Sequence, residues 1–144
     1  MAHPQPVFSV EEANALVPFL KERFSAIRQL QEQLRGARED MKVLSDIWGK
    51  ALLDSGNADN KLYRAAKERM DEAAQAIAKE VGQVTGKGCT VTDLNEALVD
   101  FPHSMGGAMV LLCWRFPEDR VGFWHEPAAG FAGRKPLEQL PVRA

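Results

Sequence analysis

The chain has 144 residues, of which 45% are hydrophobic, enough for one globular domain with a core of its own. Eighteen basic against twenty acidic side chains leave a net charge of −2, so the sequence offers no electrostatic footprint for nucleic acid or an anionic membrane. No apolar run approaches a membrane span, and Met1–Ser9 lacks the basic start and apolar core of a signal peptide. Two cysteines make no disulfide framework, so a reducing cytoplasm is the expected compartment.

Composition divides the chain near Gly86. Residues 8–85 are charged and helical in period, whereas 86–137 are rich in Gly, Pro and aromatic residues. A single domain over 1–144 is expected, with a helical hairpin over 8–85 and a small β-sheet with a C-terminal loop over 86–137. Ser9-Val10-Glu11-Glu12 is a capping box, so a helix opens at Ser9, with Val7 and Phe8 placed for a hydrophobic staple. Pro18 removes a backbone donor inside the pattern and predicts a kink or break there. Beyond it Leu20, Ile27, Leu34, Met41 and Trp48 recur every seven residues, with Leu30, Ala37 and Leu44 between them. This narrow apolar seam is of the coiled-coil type.

Residues 54–60, Asp-Ser-Gly-Asn-Ala-Asp-Asn, collect the side chains that favour turns. A second helix is expected over 61–84, where Tyr63, Met70, Ile77 and Val84 repeat at seven with Ala66 and Ala73 between. Two long amphipathic helices with a short connection predict a long antiparallel hairpin. The first helix is the longer, so part of its seam needs cover from the second half of the chain or from another chain. A second copy of the chain, in a homodimer, is the expected partner.

The rest alternates as strands do. Short β-prone segments are expected at 89–91 and 97–101, the strongest strand at 108–116, and a return at 121–125 after a tight turn over 117–120. With Glu118 and Asp119 at the turn centre, Trp114 faces Phe123, Leu112 faces His125 and Cys113 faces Trp124. His125 and Cys113 then lie on opposite faces. The fold class is therefore α+β: a coiled-coil-like helical hairpin followed by an antiparallel sheet of about three strands.

Candidate site residues gather around His125. Asp100, Arg115, Trp124, His125, Glu126 and Arg134 form the expected ligand-binding set. Carboxylate with imidazole supplies acid–base pairing, and guanidinium holds an anion. Asp, Cys, His and Glu are competent metal ligands, yet no HxxH, HExxH or CxxC spacing occurs. The bland alternative for His125 is a buried ring bonded to Asp100 or a backbone carbonyl. Gly130-Phe131-Ala132-Gly133-Arg134-Lys135 has the chemistry of an anion nest, without the order of a phosphate loop. Cys113, in an apolar run, is expected to be an inert buried thiol.

Five segments occur in an ordered series: 8–16, 98–102, 112–115, 122–126 and 130–137, reading FSVEEANAL, LVDFP, LCWR, GFWHE and GFAGRKPL. Together they resemble the uncharacterised prokaryotic family called domain of unknown function 2203. The resemblance implies a small bacterial protein and carries over no catalytic residue or cofactor. The residues themselves favour a non-enzymatic, homo-oligomeric interaction or small-ligand-binding module. The alternative is a metal- or anion-binding enzyme centred on Asp100, His125 and Arg134.

Overall fold

Ser9 caps the first helix in the computed structural model, which describes residues 7–139. Its hydroxyl accepts from the Glu12 amide at 3.0 Å, and the Glu12 carboxylate accepts from the Ser9 amide at 2.9 Å. The capped helix α1, Val10–Ala15, is short because the chain breaks at Leu16. Pro18 is the second residue of the next helix, α2 (Val17–Trp48), where a missing backbone donor does no harm. The Phe8 ring stands edge-on to Phe101 at 5.2 Å, and its amide donates to the Pro102 carbonyl at 2.7 Å. Residues 1–6, part of the stretch expected to lack signal-peptide character, lie outside the described residues, as do 140–144. Among the described residues no helix is long and apolar enough to cross a membrane.

The chain divides into two compact units, one of Ser25–Glu80 and the other of the residues on either side of it. The helical unit holds most of α2 and of α3 (Asn60–Thr85). Gly49, at φ +58°, ends α2, and a 3-10 turn over Gly49–Leu53 follows. The turn residues then bond their own backbone: Asp54 accepts from the Gly56 amide and Asn57 from the Asp59 amide. Buried Asn60 donates to the Leu52 carbonyl at 2.8 Å. Along the heptad seam burial fades with position. Ile27 and Ala37 are buried, Leu34 and Met41 are half-buried, and Trp48 is exposed. On α3, Ala66 and Ala73 are buried, and Arg69 pairs with Asp40 at 3.0 Å.

The other unit is built on an antiparallel sheet of five strands, rather than about three, in sequence order. They are β1 (Thr90–Asp93), β2 (Leu98–Met105), β3 (Ala108–Arg115), β4 (Phe123–His125) and β5 (Lys135–Pro136). Gly106 and Gly107, at φ +56° and +90°, make the two-residue hairpin turn between β2 and β3. The turn sets Met105 opposite Ala108 and, five pairs further on, Asp100 opposite Cys113. One face of the sheet carries Val99, Phe101, Leu112, Trp114 and Trp124. All five are buried, and the Phe24 ring meets Trp114 at 5.7 Å.

The expected pairing of β3 with β4 is off by one residue. Leu111 faces His125, Leu112 faces Trp124 and Cys113 faces Phe123. The cause is the connection, which is no tight turn over 117–120. Glu118 folds back onto β3: its amide donates to the Arg115 carbonyl, its carbonyl accepts from the Trp114 indole, and its carboxylate accepts from the Arg115 amide. The Val121 amide goes to the Asn14 side chain at 2.7 Å, so Val121 is not part of the ladder and β4 opens only at Phe123. A one-residue slip exchanges the faces of every side chain. His125 therefore joins Cys113 on one face instead of opposing it.

Candidate functional site

Three neighbouring strands aim polar side chains at one point on the second face of the sheet. Asp100 on β2 and Cys113 on β3 are directly paired, and His125 on β4 lies diagonally across from Cys113. A carboxylate oxygen, the Cys113 sulfur and a His125 ring nitrogen lie within 4.8 Å of one another. All three residues are at most 5% exposed.

Burial of such groups is tolerated only where each is bonded. His125 Nδ1 donates to the Glu126 carbonyl at 2.8 Å. A carbonyl only accepts, so Nδ1 carries the proton. Nε2 then faces Asp100 Oδ1 at 3.0 Å, with one proton between them. The other oxygen, Oδ2, accepts from the Thr92 hydroxyl at 2.6 Å. A register shift between Val91 and Asp93 on β1 accompanies this reach of Thr92. Burial, and next the negative charge of Asp100, push the Cys113 thiol up to about 12. Burial alone raises Cys89 to about 11. Both cysteines are buried thiols that stay protonated at neutral pH.

The remaining expected site residues do not join the cluster, although the Arg134–Glu118 pair lies near enough to act on the Cys113 thiol. The Glu126 side chain is exposed, and only its carbonyl serves the site. Trp124 lies on the opposite, apolar face with Leu112, its buried indole nitrogen without a partner. Arg115 is exposed and pairs with Glu96 at 2.7 Å. Arg134 stacks on Phe123, its guanidinium carbon 3.7 Å from the ring centroid, and pairs with Glu118 through both carboxylate oxygens at 2.8 and 3.1 Å. The glycine-flanked segment at 130–135 is a 3-10 turn over Phe131–Gly133. Its Gly133 and Arg134 amides donate to the Gly130 and Phe131 carbonyls, so they are not offered to an anion.

Three participants were not among the expected site residues: Cys113, Thr92 and Glu118. Cys113 had a usable signal, because Gly106-Gly107 between two apolar runs fixes the β2–β3 register. Thr92 and Glu118 had none, since one depends on a register shift and the other on a chain reversal.

A family model described as "Uncharacterized conserved protein (DUF2203)" matches residues 6–137. The chain belongs to this family. The matched DUF2203 region includes every residue of the Asp100–Cys113–His125 cluster, with Thr92, Glu118 and Arg134 around it. No curated protein and no solved structure matches the chain.

Proposed function

We propose that this DUF2203 protein is a non-enzymatic binding module of the bacterial cytoplasm that works as a homodimer. The observation that carries the reading is an apolar surface in the helical unit. Val43, Ile47, Leu53 and Leu62 are each more than half exposed. A cavity of about 300 Å³ is lined by Asp40, Val43, Leu44, Leu62, Ala65 and Arg69. Burying a side chain of this kind is worth about 1.5–3 kcal/mol at full burial, and several together offset the entropy lost on association. A net charge of −2 sets little repulsion between two copies. In this reading α2 and α3 run antiparallel as a coiled-coil-like hairpin, which the Arg69–Asp40 pair between them supports. The free, buried Cys89 and Cys113 suit a reducing compartment.

Two further observations favour binding over catalysis. A thiol near 12 is no nucleophile at neutral pH, and both His125 nitrogens already have partners inside the fold. The anionic-ligand reading has less support, because Arg115 and Arg134 are both paired with carboxylates.

Sedimentation velocity over a micromolar concentration series tests the proposal. The wild type is expected to sediment as a dimer, and Ile47→Glu, at an exposed position that a folded monomer tolerates, as a monomer with unchanged helicity. A wild type that remains monomeric throughout the series overturns it.

A further inference from the structure

The buried cluster on the sheet has the composition of a transition-metal site. We propose that Asp100, Cys113 and His125 bind a single divalent ion of the zinc type, with the carboxylate, the thiolate and His125 Nε2 as ligands. This inference is independent of the homodimer reading.

Four observations carry it. First, the donors converge: three ligand atoms of three chemical kinds lie within 4.8 Å of one another, and Nε2 and Oδ1 are already 3.0 Å apart. Zinc holds sulfur at about 2.3 Å and nitrogen or oxygen at about 2.0–2.2 Å, so the three side chains close in around the ion when it binds. Second, the donor types select the metal. Thiolate with imidazole favours zinc, cobalt and their neighbours over magnesium and calcium, which prefer oxygen alone.

Third, the supporting bonds are those a metal site needs. The Nδ1–H bond to the Glu126 carbonyl leaves Nε2 as the ligating nitrogen, and the Thr92 hydroxyl holds the far carboxylate oxygen. Thr92 is thus a positioning residue. Fourth, charge balances in a place where charge is costly. A divalent ion, one thiolate, one carboxylate and a neutral imidazole sum to zero. Binding releases two protons, that of the thiol and that shared by Asp100 and His125, and the ion replaces them. The nearby Arg134 does not oppose the ion, since Glu118 cancels its charge. With three protein ligands, a tetrahedral ion has one further position, which in so buried a place a single water molecule fills.

Cobalt(II) is the probe, added to wild-type protein stripped of metal with a chelator. One equivalent is expected to produce a thiolate-to-cobalt charge-transfer absorption in the near ultraviolet and intense visible bands of a tetrahedral ion. One equivalent of zinc is expected to bleach both. Cys89→Ser is expected to keep the charge-transfer absorption and Cys113→Ser to lose it. Thr92→Val is expected to weaken zinc binding by about 10- to 100-fold. The wild-type titration does not depend on any variant folding. No charge-transfer absorption at stoichiometric cobalt overturns the proposal, and so does an absorption that Cys89→Ser abolishes and Cys113→Ser retains.

Discussion

Cys113 shows how a single side chain acquires its properties from its neighbours. In an extended chain its thiol would ionise near 9.0; here burial and then the Asp100 carboxylate raise it to about 12. The unfolded chain therefore gives up this proton at lower pH than the folded one. The stabilising difference is fully present below pH 9 and is lost as pH rises toward 12. Cys89, raised to about 11, acts in the same direction. Urea unfolding of the metal-free protein between pH 9 and 11 is expected to show the wild type losing stability more steeply than Cys113→Ser, by up to about 1.4 kcal/mol per pH unit. Parallel pH profiles for the two proteins would contradict the burial of an ionisable thiol. The same residue marks a limit of sequence reading. That Cys113 is buried follows from the apolar run around it. That it lies beside Asp100 and His125 follows only from pairing.

At the scale of elements, what is local in the chain is legible and what depends on a reversal is not. The capping box at Ser9, the break near Pro18 and the turn residues over 54–60 all act through neighbours within four positions. Each is visible in the sequence. Ser9→Ala is expected to cost about 1 kcal/mol in chemical denaturation, the usual value of an N-cap. A loss near zero would mean that α1 is held by packing alone. The Glu12 carboxyl, held below the ordinary range chiefly by the Ser9 amide, gives the cap its acid sensitivity. Its contribution is present above pH 4.5 and fades as pH falls through the lowered value. The β3–β4 register departs from the expected one for the opposite reason. Glu118 bonds back to Trp114 and Arg115, and Asn14, 107 positions away in sequence, takes the Val121 amide. Neither partnership leaves a mark in local composition. Strand β5, two residues long, carries too short an alternation to be read from the sequence, whereas β1 overlaps the β-prone stretch expected at 89–91.

At the scale of the molecule, two units divide the chemistry. The helical unit exposes apolar side chains around Ile47, and the sheet unit seals a polar, sulfur-containing cluster inside itself. The sealed cluster exists because the sheet has one register and not its neighbour. With a slip of one residue His125 would point to the face of Trp114, and Asp100 and Cys113 would lose their third partner. Cross-strand nuclear Overhauser contacts between β3 and β4 test this most directly. The account predicts contacts pairing Leu112 with Trp124 and Cys113 with Phe123. Contacts pairing Leu112 with His125 and Cys113 with Trp124 would contradict it, and would remove the site.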